Sequence, residues 1–155
     1  MKKLGIFLMG CVVAMPSVAA VNLFNHKGIQ KGAVSENCYR NPCSIIKVMD
    51  FKLLENRPNY RLIQLKVVGG RRGWEAKNIN WNHNTHNLYI TCSLTSPTVQ
   101  NGDQITTLPI NSDYVLPGVL YGDGILYSQA CHNSDADMDK LAIKYGYNIA
   151  DDGNW

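Results

Sequence analysis

Two histidines three residues apart are the first residues in this sequence whose spacing suggests chemistry. His83 and His86 lie in the stretch NINWNHNTHNLYITC, which spans residues 78–92. Imidazole nitrogens bind zinc and copper, and histidine often serves as a general acid or base. A zinc site needs three or four ligands at about 2 Å from the ion, so further ligands would have to come from His26 or His132.

The segment around these histidines favours a turn over a metal site. NHNTH (82–86) is rich in Asn and Thr, which are turn-forming residues, and alternating strand-like segments lie on both sides of it. If Cys92 bonds Cys131, His132 lies beside Cys92, whereas His86 is six extended residues away, roughly 20 Å. We expect NHNTH to close a hairpin. A metal-handling or hydrolytic envelope protein that uses His83 and His86 is the alternative.

Cys131 and His132 are a second candidate pair, for a thiol nucleophile and its base. Sequence neighbours on a strand point apart, and a disulfide would remove the thiolate. No G-x-S-x-G motif is present, and DADMDK (135–140) has Lys140 where a calcium loop of the EF-hand type has Gly. We therefore expect no catalytic residue, no bound metal and no cofactor, and we favour a protein that is not an enzyme.

Two arginines and a tryptophan form the predicted binding site. In GGRRGW (69–74), Arg71, Arg72 and Trp74 follow a glycine pair at an expected hairpin tip. Arg and Trp are the residue types that most often dominate the energy of protein interfaces. We predict that these three residues contact a protein partner in the cell envelope. An ordinary solvated hairpin tip is the alternative.

A third interpretation is a carbohydrate-binding module in which Trp74 or Trp81 stacks on a sugar ring. Trp81 shares its predicted strand face with Ile79, however, and this alternation predicts a core position for Trp81. The sugar interpretation therefore depends more on Trp74.

The first twenty residues predict export. Lys2 and Lys3 precede an apolar run at 4–13, and small residues end the segment at Ala20, the pattern of a signal peptide cleaved after Ala20. The run is shorter than the roughly 20 apolar residues that span a membrane, and no second such run follows. Lipidation of Cys11 is a rival that we do not favour, because the segment after it is apolar. We expect a periplasmic or secreted bacterial protein.

Loss of the signal peptide leaves one domain at 21–155 that is almost neutral. The formal net charge falls from +3 to +1 with Lys2 and Lys3, so no basic excess favours nucleic-acid binding. A chain of this length can bury a core of its own. We expect 21–37 to be a loosely attached arm and 147–155 a polar tail.

Four cysteines remain after cleavage, and an even number in an exported chain predicts two disulfides. We prefer the pairs Cys38–Cys43 and Cys92–Cys131. The interlocked pairings of the same four residues stay open, since sequence alone does not choose among them.

The hydrophobic pattern predicts a mainly β domain. Alternation indicates strands at 44–55, 60–68, 74–81 and 87–94, joined by turns at ENRPN (55–59), GGRRG (69–73) and NHNTH (82–86). A change of the apolar side near Val48 suits a β-bulge. The fold class that follows is a small antiparallel meander or sandwich-like sheet with one C-terminal α-helix, stapled by two disulfides.

Shorter elements complete the prediction. ITTLPI (105–110) and GVLY (118–121) are predicted as short strands, and ILYSQAC (125–131) is ambiguous between strand and helix. A helix with an apolar stripe runs from Asn133 or Ser134 to about Tyr145 and ends at Gly146. An exported, non-enzymatic binding or inhibitor-type module is the function that these expectations favour together.

Overall fold

A computed structural model describes residues 23–113, 115–151 and 153 of the chain. The expected signal peptide and Cys11 lie outside the described residues. Within them, neither helix has the length and apolar composition needed to cross a membrane.

Six antiparallel strands form one sheet, and their order in space follows their order along the chain. They are β1 (Val34–Asn37), β2 (Cys43–Arg57), β3 (Tyr60–Arg72), β4 (Asn80–Ser93), β5 (Thr98–Asn101) and β6 (Gln104–Thr107). A short 3-10 turn (Gly118–Leu120) leads into α1 (Tyr121–His132), and α2 (Met138–Tyr145) follows. The predicted mainly β meander with a C-terminal helix is confirmed. The predicted strand GVLY is wrong, because its residues form the 3-10 turn and the start of α1.

Alternating apolar residues of the three long strands build the core on one face of the sheet. Ile63 pairs with Ile90 and Leu65 with Leu88, and all four side chains are buried. Burying a side chain of this size contributes about 1.5–3 kcal/mol. Both helices add buried side chains to the same cluster, among them Leu126, Tyr127, Ala130, Met138, Leu141 and Ala142. One face of the sheet is therefore covered by helices.

The bulge expected in β2 is present. The register between β2 and β3 shifts between Val48 and Asp50, and again between Leu53 and Glu55. A bulge adds a residue to one strand and moves the following side chains to the opposite face. This brings Phe51 opposite Leu65, so that it packs against the core.

Two of the predicted turns belong to strands instead. Gly69 to Arg72 is the end of β3, and NHNTH lies within β4. The register steps from Val68–Thr85 to Gly70–Trp81, so that residues 82–84 oppose Gly69 alone as a bulge. The segment 74–79, predicted as strand, is the connection between β3 and β4. The turn-forming residues thus produce a distortion inside a strand and not a reversal of the chain.

Gly70, in the glycine pair of β3, allows two side chains to pack closely against the backbone. A Cβ added at Gly70 would lie 2.8 Å from Cε3 of Trp81 and 2.9 Å from Cγ2 of Ile79. Ile45 and Trp81 both pair with Gly70, one on each side, so they share a face of the sheet. Glycine is therefore required here because Trp81 and Ile79 cover the backbone, which is a known reason for glycine inside a strand. Trp81 is half-buried on the face opposite the helices, outside the main core.

The two ends of the domain are attached more firmly than the sequence suggests. Phe24 and Ile29 are buried, and the backbone N–H of Asn25 donates to the carbonyl of Cys131 at 2.7 Å. The loose arm that we expected at 21–37 is thus docked from residue 23 onwards. In the expected tail, Tyr147 is buried and the N–H of Ile149 donates to the carbonyl of Ile110.

Both preferred disulfides are present. Cys38–Cys43 closes the loop between β1 and β2, and Cys92–Cys131 joins β4 to the end of α1. The second bond links the sheet to the helical layer directly.

Replacement of Gly70 tests the packing against Trp81. We expect Gly70→Ala to lower the free energy of unfolding by about 1–3 kcal/mol, because the new methyl group must displace Trp81 or Ile79. Urea unfolding followed by tryptophan fluorescence measures this. Gly73→Ala is the control, because its Cβ would come no closer than 3.7 Å to another side chain. Equal stability of the two variants would contradict the packing argument.

Candidate functional site

His83 and His86 both lie on β4 and both are exposed. His86 pairs with Val67 in the regular part of the ladder, whereas His83 is in the bulge opposite Gly69. Among the described residues, the group of three potential metal ligands within 4.8 Å of one another is Glu36, Cys38 and Cys43. It includes neither histidine, and its two cysteines are joined as a disulfide. The structure therefore does not gather a ligand set around His83 and His86.

Cys131 and His132 are structural residues. Cys131 is bonded to Cys92, so it has no thiolate to offer. His132 is 5 % exposed and its Nε2 lies 2.7 Å from the hydroxyl of Tyr147. This pair therefore has no arrangement suited to nucleophilic catalysis.

The His132 imidazole belongs to a buried hydrogen-bond chain. The Tyr147 hydroxyl lies 2.8 Å from that of Tyr127, which donates to the carbonyl of Ser93. If Tyr127 donates to Ser93, Tyr147 must donate to Tyr127, and His132 must donate its Nε2–H to Tyr147. Nδ1 is then a bare acceptor without a hydrogen-bond partner in the described structure. Burial, with a smaller effect from Lys144, lowers the pKa of His132 to about 4, and burial raises the pKa of both tyrosines.

The two predicted binding arginines point to opposite faces of the sheet. Arg72 donates from Nε to Glu36 at 3.0 Å, forms a second bond to the same carboxylate through Nη2, and bonds the carbonyl of Ala76. Arg71 is exposed and pairs with Ser44 on β2. Neighbours on a strand alternate in direction. Arg72 therefore holds the β3–β4 connection in place, while the Arg71 side chain is on the side of Ser44.

Trp74 is 60 % exposed, and its backbone is fixed to the small disulfide loop. Its N–H donates to Oδ1 of Asn41 at 3.3 Å. In the same loop Tyr39 is 59 % exposed and contacts Gly118, where an added Cβ would lie 2.3 Å from its ring. Val119, the next residue, is 58 % exposed. Three large apolar side chains are thus exposed at one end of the domain.

A shallow depression lies among these residues. Its volume is about 220 Å³, and Asn37, Tyr39, Arg40, Pro42, Ser44, Gly118 and Val119 line it. We call Tyr39, Arg71, Trp74 and Val119, together with this depression, the aromatic end. Solvent-exposed Tyr, Trp and Arg side chains beside a shallow pocket are the composition of an interface anchor region.

Sequence reasoning identified Arg71 and Trp74 but missed Tyr39 and Val119. The signal for Tyr39 was available, because an aromatic residue in the six-residue loop CYRNPC can hardly reach a core. No local pattern indicated Val119. Its exposure follows from the 3-10 turn, where the apolar sequence GVLY had predicted a strand.

No protein-family model, curated protein or solved structure matches this chain. The functional argument therefore depends on the geometry of the described residues.

The pKa of His132 gives a pH prediction. The folded state binds the proton less readily than the unfolded chain, in which histidine has a pKa of about 6.5. Stability that is complete above pH 6.5 should therefore fall as the pH drops towards 4, by about 3 kcal/mol from this group. Urea unfolding at pH 7, 5.5 and 4 measures the loss.

Two variants isolate the contribution of His132. His132→Gln keeps a donor near Tyr147 but does not titrate, so its stability should decline less between pH 7 and pH 4 than that of the unmodified protein. His83→Gln, at an exposed position, should leave the decline unchanged. A decline that is the same in all three proteins would show that His132 does not control it.

Proposed function

We propose that this protein is an exported bacterial binding module that acts without catalysis, and that it holds a protein partner through the aromatic end. The observation that carries the proposal is the exposure of Tyr39, Trp74 and Val119 at one end of the domain. Large apolar side chains exposed singly are ordinary, whereas several of them exposed together mark an interaction surface.

The attachment of these residues supports a binding role. Tyr39 is in a loop closed by Cys38–Cys43, and Trp74 is bonded through its backbone to Asn41 in that loop. Arg72 joins the following connection to Glu36 on β1. Loops whose backbone is already fixed lose little conformational entropy on binding, which raises affinity for a given contact area.

Charge and compartment agree with this role. Arg71 adds an exposed cation beside the apolar residues, which favours a partner surface with a carboxylate. Two disulfides are typical of an oxidising compartment such as the periplasm, in line with the signal peptide expected at 1–20. We place the partner in the cell envelope for that reason.

The aromatic end also bears on the sugar-binding alternative. Trp74 has an exposed ring, whereas Trp81 is half-buried over Gly70. A sugar platform would therefore have to use Trp74 and Tyr39. The neighbouring Val119 favours a protein surface over a sugar, because it adds apolar contact area and no hydrogen-bonding group.

Site-specific photocrosslinking tests the proposal. A benzophenone amino acid placed at Trp74 in the exported protein should give one discrete adduct, which mass spectrometry identifies. The same amino acid at Ile143, which is 73 % exposed on α2, is the control and should give no such adduct. Equal crosslinking from both positions would count against the aromatic end as the binding surface.

The affinity of the identified partner then gives the energetic test. Tyr39→Ala with Trp74→Ala should weaken binding by about 30-fold or more, since an interface hot spot is worth at least about 2 kcal/mol. Ile143→Ala should leave affinity unchanged, and all variants should unfold at the same urea concentration within experimental error. Unchanged affinity of the double variant would overturn the assignment.

A further inference from the structure

A second cavity, separate from the aromatic end, lies between the helical layer and the sheet. Its volume is about 140 Å³, enough for a group of about five non-hydrogen atoms, given that a water molecule occupies about 30 Å³. It lies under the first turn of α1, beside the β5–β6 hairpin near its turn. Neither the proposed partner surface nor the buried histidine chain makes use of it.

The cavity has an apolar floor. Ile46 comes from β2, Leu88 from β4 and Val99 from β5, and all three belong to the face of the sheet that forms the core. The helices leave this part of the face open, because α1 begins only at Tyr121. A hydrocarbon chain placed here would gain contacts of the same kind as a core side chain.

Polar side chains surround the opening of the cavity, and their donor and acceptor atoms are available to a ligand. His86, Asn101, Gln104, Thr106 and Asp123 line the cavity. Within the described chain, none of these five side chains makes a hydrogen bond or ion pair. Thr106 is 7 % exposed as a residue, and its side chain lines the cavity, so a ligand in the cavity can reach it.

Asp123 gives the cavity its charge. Burial raises the pKa of this carboxyl, and no cation lowers it again. The described lining contains neither Lys nor Arg. Asp123 also lies in the first turn of α1, where the helix dipole favours negative charge, and its raised pKa reflects the desolvation of the carboxylate. A cationic ligand would offset the cost of this desolvation, whereas the carboxylate would repel an anion.

We propose that this cavity binds a primary alkylammonium group, with the ammonium at Asp123 and the alkyl chain on Ile46, Leu88 and Val99. His86, Asn101 and Thr106 line the same cavity and carry acceptor atoms for the two remaining ammonium N–H groups. The group comes either from a lysine side chain of another protein or from a small free amine. The site does not depend on the aromatic end, so either proposal can fail without the other.

Butylammonium is the first probe, because it carries a four-carbon chain and one ammonium. Titrated into the full exported protein at pH 7, it should shift the backbone amide NMR signals of Leu88, Thr106 and Asp123 saturably. We expect a dissociation constant on the order of 1 mM, which is about 0.8 kcal/mol per non-hydrogen atom. Butanol, of the same size but without the charge, should bind at least tenfold more weakly. Equal binding of butanol would overturn the proposal.

Two matched variants test the carboxylate. Asp123→Asn keeps the shape and should weaken butylammonium binding at least tenfold. Asp103→Asn removes an exposed carboxylate from the nearby tip of the β5–β6 hairpin and should leave binding unchanged. Equal weakening by both variants would mean a diffuse electrostatic effect and would overturn the site.

Protein stability supplies a readout that is independent of ligand. A carboxyl whose folded-state pKa is raised destabilises the fold once the pH exceeds its unfolded value of about 3.9. Asp123→Asn should therefore unfold at a higher urea concentration than the unmodified protein at pH 7. A lower unfolding midpoint would mean that Asp123 stabilises α1, and would overturn its role as an unsatisfied ligand group.

A second probe, Nα-acetyl-lysine N-methylamide, distinguishes a lysine side chain from a small free amine as the source of the ammonium group. If it shifts the same signals as butylammonium, the cavity accepts a lysine side chain presented by a polypeptide. If only butylammonium binds, the opening excludes a backbone and the ligand is a small amine. Absence of saturable shifts with both probes would overturn the proposal.

Discussion

The arrangement of the whole domain depends on the junction between the end of β4 and the end of α1. Cys92 is covalently bonded to Cys131, and Tyr127 bonds both the N–H and the carbonyl of Ser93 one residue further along. In the chain-entropy model, a disulfide that closes a loop of this length contributes about 4 kcal/mol. The hydrogen bonds add direction, because they fix the rotation of α1 about its own axis relative to the sheet. The N-terminal segment and Tyr147 then attach to this junction, through Asn25 and through the Tyr127 hydroxyl.

Fixing the C-terminal end of α1 also determines what its N-terminal end can do. Gly118 and Val119 lie against the small disulfide loop, while Asp123 faces the cavity over β4 and β5. Gly118 has to be a glycine because the Tyr39 ring occupies the position of its Cβ. Two surfaces with different chemistry, one aromatic and one carboxylate-lined, are thus placed on either side of a single helix start. The Cys92–Cys131 junction positions the start of α1, while Cys38–Cys43 and the bond from the Trp74 N–H to Asn41 hold the loops on the aromatic side.

The sequence predicted the parts of this fold that depend on periodicity and on counting. Alternation along 60–68 and 87–94 predicted the central strands and their buried residues. The number of cysteines predicted two disulfides, and the pairing that we preferred, without sequence alone deciding it, is the one present. It failed at Gly69, Gly70 and the NHNTH segment. Glycine and asparagine are favoured in turns for their backbone freedom, but a bulge and a close approach by Trp81 require the same freedom. Composition alone cannot separate these cases, because the difference lies in the neighbouring strand.

The candidate site also shows that residue type alone does not determine where a side chain lies. Arg71 and Arg72 look alike in the sequence, but neighbours on a strand point to opposite faces. Arg71 is therefore exposed to solvent, whereas Arg72 bonds Glu36. The expectation of a hairpin tip hid this difference, since side chains at a tip need not alternate.

His86 and Asp123 are 37 positions apart in the sequence, and they line one cavity only because the meander brings β4 under the first turn of α1. A carboxyl without a partner is visible only in three dimensions, because its signature is the absence of a neighbouring cation in space. Burial raises the pKa of the Asp123 carboxyl and no Lys or Arg is in the described lining of its cavity, which is the reason to look for its partner outside the chain.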